Sequence, residues 1–225
     1  MATELVAIGA SLGGLEALQK VLPALPATFC LPVAIVQHRR ARTTDGVDLA
    51  NLLSRGCHLP VAEPWDKEDI EPGHIYLAPA NYHLLVERGR LALSVDPPVL
   101  YSRPSVDVLF ESVADAYGAG GLAVVLTGAS EDGAVGARAI KEAGGTVWVQ
   151  DPATALSPIS PRAAMARAMV DEVLPLDEIG ERLAQLGAAK PAPTRWRPGP
   201  PSQKATPATG SSADNTTGSK VGKPA

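Results

Sequence analysis

An apolar strand that runs through a glycine-rich turn into a helix is the feature that most constrains this chain. Residues 5–8 are apolar, residues 9–14 include three glycines, and apolar side chains recur at helical spacing over residues 15–22. Later segments repeat this strand-and-helix order: 33–37, 48–55, 105–117, 122–127, 134–143 and 146–150. Because parallel strands need crossover connections, this order predicts an α/β fold with a doubly wound, mostly parallel sheet and helices on both faces.

The middle and the end of the chain are less regular. Runs at 84–87 and 91–95 flank Arg88-Gly89-Arg90, which predicts a short antiparallel hairpin. We place this hairpin near one edge of the sheet, where it either extends that edge or caps the active face. A strand at 75–78 precedes the hairpin. Two helices, 161–169 and 178–186, close the fold on either side of an apolar stretch at 170–176 that could supply another short strand.

Charge divides the chain into two parts. Residues 1–187 carry 14 basic and 23 acidic side chains, net −9, whereas residues 188–225 carry six basic and one acidic, net +5. Residues 1–187 are predicted to form one domain, and 188–225 a disordered, Pro/Ser/Thr-rich tail with too few large apolar side chains to fold. An acidic domain argues against nucleic-acid binding. The tail is interpreted either as a tether to an acidic surface or as a spacer without a role.

The sequence also indicates a location. Cys30 and Cys57 have the spacing of neither a redox motif nor a zinc site, which fits a reducing compartment. No run approaches the roughly 18 apolar residues of a spanning helix, and the amino terminus lacks a signal-peptide pattern. We therefore expect a cytoplasmic protein without membrane insertion.

Ser11 is the candidate nucleophile. It is the serine of a G-x-S-x-G pattern, Gly9 to Gly13, placed between a predicted strand and a predicted helix. The glycines permit a sharp turn, and the following helix N-terminus directs free N–H groups toward a developing oxyanion. The alternative is a phosphate-binding turn. That reading is weaker, because the middle glycine of G-x-G-x-x-G and the lysine of a P-loop are missing.

His38 and Asp132 follow two other predicted strands. The carboxyl ends of parallel strands meet at one edge of a sheet, so the imidazole of His38 can approach Ser11, and the carboxylate of Asp132 can orient the imidazole. Each residue also has a simpler explanation. His38 could be a hydrogen-bonded strand-end residue, and Asp132 could cap the helix that follows it. The coincidence of three compatible residues at three strand ends favours a triad.

Several ordered segments together resemble the catalytic domain of the chemotaxis protein-glutamate methylesterases. The resemblance spans about residues 5–186. It rests on Val6-Ala7-Ile8-Gly9-Ala10-Ser11 with Gly13-Gly14, Val36-Gln37-His38, Pro72-Gly73-His74-Ile75-Tyr76-Leu77-Ala78-Pro79, Arg103-Pro104-Ser105-Val106-Asp107, Thr127-Gly128 with Asp132-Gly133-Ala134, Gln150-Asp151 and Val170-Asp171-Glu172-Val173-Leu174-Pro175. By resemblance, Ser11 is the nucleophile, His38 the base and then the acid, and Asp132 the orienting carboxylate. The backbone N–H groups of Leu12 and Ala129 would then face the oxyanion.

The resemblance also implies an activity and partners. The family hydrolyses glutamate methyl esters on the cytoplasmic helices of methyl-accepting chemoreceptors and releases methanol, with no metal and no organic cofactor. Many members also deamidate receptor glutamines. Members often carry an amino-terminal receiver domain, but here the first catalytic strand begins at Leu5. We therefore expect control by another route, such as a separate response regulator or kinase.

Some positions depart from the family pattern. Ala129 stands where methionine is usual, and Glu131 where a small or amide residue is usual; the Glu131 carboxylate either raises the pKa of Asp132 or points to solvent. The segment 158–162, Pro-Ile-Ser-Pro-Arg, replaces a Gly-Met-Pro pattern. Arg39 and Arg40 replace an apolar-Pro pair, and they are read either as a rim that binds a glutamate-rich receptor helix or as part of a solvated loop.

Two other functions remain open from the sequence. The first is a signalling or scaffold module that keeps the fold without activity, since Ala129 and Glu131 depart from the family. The second is a nucleotide-binding α/β protein that uses the glycine-rich turn for phosphate. The presence of Ser11, His38 and Asp132 together favours the hydrolase over both.

Overall fold

The computed structural model describes residues 2–39 and 48–188, which contain nine β-strands and six α-helices. The strands are β1 (Leu5–Ala10), β2 (Val33–Gln37), β3 (Val61–Ala62), β4 (Ile75–Leu77), β5 (His83–Glu87), β6 (Arg90–Ser94), β7 (Gly121–Val125), β8 (Thr146–Gln150) and β9 (Glu172–Leu174). The helices are α1 (Gly14–Val21), α2 (Leu49–Ser54), α3 (Val106–Tyr117), α4 (Ala134–Glu142), α5 (Ile159–Arg167) and α6 (Leu176–Ala188). Apart from Ala188, the predicted tail lies outside the described residues, as does Arg40.

Seven strands form one parallel sheet in the order β3-β4-β2-β1-β7-β8-β9. This confirms the predicted α/β class. Strand β1 lies between β2 and β7, so the chain builds the sheet first to one side of β1 and later to the other. Open α/β sheets bind ligands at such a switch point, in the crevice beyond the carboxyl ends of the strands.

Helices cover both faces of the sheet, and β1 contributes to the core on each side. Val6 and Ile8 belong to a buried cluster with residues of α1, α2 and α6. Leu5 and Ala7 belong to a second cluster with residues of α3, α4 and α5. All six residues of β1 are buried, which is why this strand reads as a continuous apolar run and not as an alternating one.

The predicted hairpin is present, but it does not extend the large sheet. Strands β5 and β6 form a separate two-stranded antiparallel sheet, and Asp69 adds an isolated bridge to Arg90 of β6. Their inward side chains Leu84, Val86 and Leu91 join the buried cluster of α3, and the Val86 amide donates to the Ser112 hydroxyl at 2.9 Å. Strand β3 was not predicted, because a two-residue strand carries no periodic signal.

We predict that the Phe110 side chain of α3 contributes strongly to the stability of the fold. Its side chain is fully buried, so Phe110→Ala should lower the free energy of unfolding by about 3–5 kcal/mol through a cavity, and Phe110→Leu by less. Urea unfolding measures both. Val135→Ala on the exposed side of α4 is the control, with an expected change within about 0.5 kcal/mol. Equal losses for Phe110→Ala and Val135→Ala would contradict this packing.

Candidate active site

Ser11 lies in a tight turn between the end of β1 and the start of α1. The turn needs Gly13, whose φ of +80° is in the left-handed region that other residues rarely adopt. The Ser11 amide donates to the Thr127 carbonyl at 3.0 Å, and the Gly14 amide donates back to the Ser11 carbonyl at 2.9 Å. These contacts fix the serine at the carboxyl edge of the sheet, beside the residues that follow β7.

The structure brings Ser11, His38 and Asp132 together. Ser11 Oγ lies 3.2 Å from His38 Nδ1, and His38 Nε2 lies 2.7 Å from Asp132 Oδ2. The His38 amide donates to the Ala10 carbonyl at 2.9 Å, which holds the histidine against the end of β1. With its proton on Nε2, the imidazole donates to the carboxylate and leaves the Nδ1 lone pair facing the serine hydroxyl. This is the tautomer that can accept a proton from Ser11.

The carboxylate of Asp132 is completely buried at the N-terminus of α3. Besides His38, three groups donate to it: the Ser105 hydroxyl at 2.8 Å, the Val106 amide at 2.8 Å and the Asp107 amide at 2.9 Å. Burial alone would raise the pKa of Asp132, but these hydrogen bonds, led by that from His38, outweigh it and hold the pKa below its ordinary value. The group is therefore an anion at neutral pH.

Asp132 does not cap the helix that follows it, which corrects one of the two sequence interpretations. The N-terminus of α4 is held instead by Asp107, whose Oδ1 accepts from the Gly133 amide at 2.8 Å and the Gly136 amide at 2.7 Å. Asp132 thus binds amides at the start of α3, which carries Asp107, and Asp107 binds amides at the start of α4, which follows Asp132. Burial raises the pKa of Asp107 to about 6, and the nearby Asp132 charge acts in the same direction.

Sequence reasoning missed the roles of Ser105 and Asp107. It read His83 either as a residue near the cleft or as a hydrogen-bonded loop residue; the structure has it hydrogen-bonded at the start of β5. The hydroxyl of Ser105 accepts from Val108 as an N-cap and donates to Asp132. His83 is buried: its Nδ1 accepts from the Ser105 amide at 3.2 Å, and its Nε2 lies 3.2 Å from the Pro97 carbonyl. A serine before an apolar helix is a recognisable N-cap signal. Nothing in the sequence, however, indicates that this cap bonds to a carboxylate 27 residues later.

The family resemblance assigns the backbone N–H groups of Leu12 and Ala129 to the oxyanion, and that role stays a prediction. Both residues are exposed, and within the described part of the chain neither backbone N–H makes a hydrogen bond. Gly128 passes close to the nucleophile: a Cβ added to it would lie 2.9 Å from Ser11 Cβ. Two free N–H groups therefore flank Ser11, one on its own turn and one on the loop after β7.

A cleft of about 760 Å³ opens above the serine. Its lining includes Ser11, His38 and Ala129, with further walls from Arg39, Asn81, Pro98, Leu100, Tyr101, Ser102, Arg103, Pro104, Ser130 and Glu131. Among the described residues, no cluster of three or more His, Cys, Asp or Glu side chains could hold a metal ion, and no helix is long and apolar enough to span a membrane.

Two charged residues of the cleft have partners elsewhere. The Arg39 guanidinium is mostly buried, pairs with Glu63 and donates to the Ala78 carbonyl at 2.8 Å, so its charge is largely engaged. The Glu131 carboxylate is exposed and pairs with Arg167 at 2.8 Å. Of the two orientations considered for Glu131, the structure has the one that faces solvent. A substrate-binding role for Arg39 and Arg40 stays a prediction.

A serine, a histidine and a buried aspartate, hydrogen-bonded at the carboxyl edge of a parallel sheet, form an arrangement of the serine-hydrolase type. The comparisons with known proteins define the group further. Residues 6–183 match the family described as CheB methylesterase. The chain belongs to this family, as the sequence resemblance predicted.

Individual relatives agree with that assignment. A Trichodesmium erythraeum protein named protein-glutamate methylesterase/protein-glutamine glutaminase is 41% identical over 184 residues, 80% of this chain and 52% of that protein. A Leptospira interrogans protein provisionally given the same name is 44% identical over 184 residues, 81% of this chain and 94% of that protein. The crystal structure of the Thermotoga maritima CheB methylesterase catalytic domain matches with a TM-score of 0.76 and 34% identity, over 83% of this chain and all of that one.

We predict that Asp132→Asn weakens the fold at neutral pH. The lowered pKa of Asp132 means that its stabilisation is present above the ordinary carboxyl pKa and is lost as pH falls through the folded-state value. The variant should lose about 1–3 kcal/mol at pH 7, because buried amide donors lose an ionised acceptor. Urea unfolding should show that the difference in free energy of unfolding between the parent protein and the variant narrows from pH 7 to pH 3. Glu131→Gln, which breaks only an exposed pair, is the control. A gap that stays constant with pH would contradict the assignment.

Asp107 should show the opposite pH dependence. Its folded-state pKa of about 6 lies above the ordinary value of 3.8, so its contribution to the free energy of unfolding falls as pH rises from about 4 to about 6. Asp107→Asn cannot titrate there, yet it keeps an oxygen that can accept from Gly133 and Gly136. The stability of the parent relative to this variant should be greater at pH 4 than at pH 7, measured by urea unfolding. A reversed slope would show that Asp107 is a stabilised anion.

Proposed function

We propose that this chain is a protein-glutamate methylesterase, that residues 1–187 form its catalytic domain, and that Ser11 is its nucleophile. The hydrogen-bonded chain from Ser11 through His38 to Asp132, open to a cleft, is the observation that carries the proposal. Membership of the CheB methylesterase family and the names of the relatives support the ester substrate.

In the proposed reaction, Ser11 Oγ attacks the side-chain carbonyl of a glutamate methyl ester while its proton passes to His38 Nδ1. The tetrahedral oxyanion lies against the Leu12 and Ala129 N–H groups. Collapse breaks the bond to the methoxy oxygen, which takes the proton from His38 and leaves as methanol. A glutamyl ester of Ser11 remains. Water, deprotonated by His38, then attacks the carbonyl carbon of this ester. The bond to Ser11 Oγ breaks, the serine takes that proton back from His38, and the glutamic acid product loses its own proton to solvent.

Asp132 serves this scheme through its charge. Because the hydrogen bond from His38 and those from the start of α3 together outweigh burial and keep its pKa low, Asp132 remains a carboxylate while the imidazole gains a proton, and it stabilises the imidazolium 2.7 Å away. The side chain is also fixed by four donors, so it holds the ring with Nδ1 toward the serine. The same contacts that stabilise the start of α3 therefore orient the base.

The same site suits amide hydrolysis. Relatives are named both methylesterase and glutaminase. A glutamine side chain would follow the same acyl transfer with ammonia as the leaving group, protonated by His38. We propose this as a second activity of the same residues.

We propose the cytoplasmic helices of methyl-accepting chemoreceptors as the substrate, in a cytoplasmic signalling role with control by a separate response regulator or kinase. The two rival functions are less well supported. A scaffold has no need for a buried anion held against an imidazole that faces a serine. A phosphate-binding turn does not explain why Ser11 Oγ lies within hydrogen-bonding distance of His38.

The direct test is methanol release from methylated chemoreceptors of the same cell. Ser11→Ala should abolish release, and Asp132→Asn, corrected for the folded fraction, should lower turnover on the order of 10⁴-fold by analogy with serine proteases. Ser54→Ala removes a serine hydroxyl on α2, whose partner is the Ala50 carbonyl, and should leave turnover unchanged.

Labelling with a fluorophosphonate separates the failures. No methanol together with rapid, Ser11-dependent labelling would reject the receptor ester and keep the serine hydrolase. No methanol and no labelling of a folded protein would favour the scaffold.

A further inference from the structure

In two peptide groups of this site, the carbonyl oxygen accepts hydrogen bonds from neighbouring residues. In a trans peptide the C=O and the N–H point in opposite directions, so donors that fix the carbonyl also fix the direction of the N–H. The peptides are Ser11–Leu12 and Gly128–Ala129, whose N–H groups are the oxyanion donors of the proposed reaction. A peptide rotated by half a turn would present a carbonyl to the oxyanion and repel it.

Gln37 holds the first peptide. Its Nε2 donates to the Ser11 carbonyl at 2.8 Å and to the His38 carbonyl at 3.1 Å, so one amide group links the nucleophile turn to the backbone of the base. Gln37 is buried at the end of β2, and within the described residues its Oε1 has no hydrogen-bond partner. Leaving a buried acceptor unpaired is costly. We therefore attribute the glutamine at this buried position to the two carbonyls to which it donates.

Ser157 and Ser160 hold the second peptide. The Gly128 carbonyl accepts from Ser157 Oγ at 2.9 Å and from the Ser160 amide at 2.9 Å. The Ser160 hydroxyl donates to the Ser130 carbonyl, on the same loop as Gly128, at 2.6 Å. With its carbonyl turned toward these serines, the Gly128–Ala129 peptide directs the Ala129 N–H to the opposite side. Ser160 lies in segment 158–162, where the sequence departs from the family pattern.

One hydroxyl joins the two arrangements. Thr127 Oγ1 lies 2.9 Å from the Leu12 carbonyl and accepts from the Ser157 amide at 2.9 Å. The turn that carries Leu12 and the loop that carries Ala129 are thus held at a fixed separation by a buried threonine. Both N–H groups are oriented before any substrate arrives.

We propose that Gln37 and Ser157 are positioning residues that lock the two oxyanion-binding peptides by hydrogen-bonding their carbonyls. This rests on the proposed function, since it assigns further residues to the same reaction. Neither side chain is assigned contact with the substrate; each acts through a peptide that it orients.

The test uses Gln37→Met and Ser157→Ala in the full chain. Methionine fills similar space but donates nothing, and it also removes the unpaired Oε1, so stability should change little while kcat falls about 10- to 100-fold, with KM nearly unchanged. Ser157→Ala should act in the same direction, and Ser157→Thr, which keeps the hydroxyl, should recover part of the loss. Affinity for a boronic acid that forms a tetrahedral adduct on Ser11 should fall by a factor similar to that of kcat.

Ser112→Ala is the matched control. It removes a part-buried hydroxyl that accepts from Val86 and donates to the Leu109 carbonyl, so it should cost stability without changing kcat. Losses in Gln37→Met and Ser157→Ala that follow thermal stability, or that appear only in KM, would overturn the proposal. If the parent protein neither releases methanol nor reacts with fluorophosphonate, the proposed function fails; normal turnover in all variants rejects only the positioning roles.

Discussion

A buried carboxylate is tolerated only when hydrogen-bond donors surround it, and in this protein three of the donors to Asp132 come from the start of α3. Asp132 accepts from the first amides and the N-cap hydroxyl of α3, while Asp107, on that helix, accepts from the first amides of α4. Each interaction satisfies orphan N–H groups at a helix start, and at Asp132 it also places a stabilised negative charge at the positive end of a helix dipole. The two helices are therefore fixed to each other at the place where the imidazole of His38 needs an anion.

The sheet topology explains why this place is next to the serine. Strand β1 lies between β2 and β7, so Ser11, His38 and the loop that leads to Asp132 all emerge at one edge, around the switch in strand order. Ser11 and His38 lie 27 residues apart in the chain, and His38 and Asp132 lie 94 residues apart. They nevertheless come within hydrogen-bonding distance, because the strands that they follow end at the same edge of the sheet.

Most of the fold was predictable because its signals are local. Buried strands such as 33–37 and 146–150 were found with the observed bounds, since continuous apolar runs between turns are distinctive. The meeting of Ser11, His38 and Asp132 followed from parallel strand ends. The pairing of Asp107 with α4, the bridge from Gln37 to the Ser11 carbonyl and the link from His83 to Ser105 could not be predicted. They depend on which backbone groups face each other after folding, and residue types do not encode that. Arg39 was read either as part of a substrate-binding rim or as part of a solvated loop, and neither reading anticipated its ion pair with Glu63.

Two kinds of positioning meet at this site, and they carry different stability costs. The base is oriented by an ionised group, whose burial is tolerated only because a helix terminus and a serine hydroxyl supply donors, so its geometry and its protonation are linked. The proposed oxyanion peptides are oriented by neutral donors, Gln37 and Ser157, which act on carbonyls that remain partly bonded without them. Changing Asp132 should disturb folding and chemistry together, because the same hydrogen bonds serve both. Changing Gln37 or Ser157 can separate the effect on chemistry from the effect on folding, since a rotated peptide loses an oxyanion donor while the strands and helices around it keep their packing.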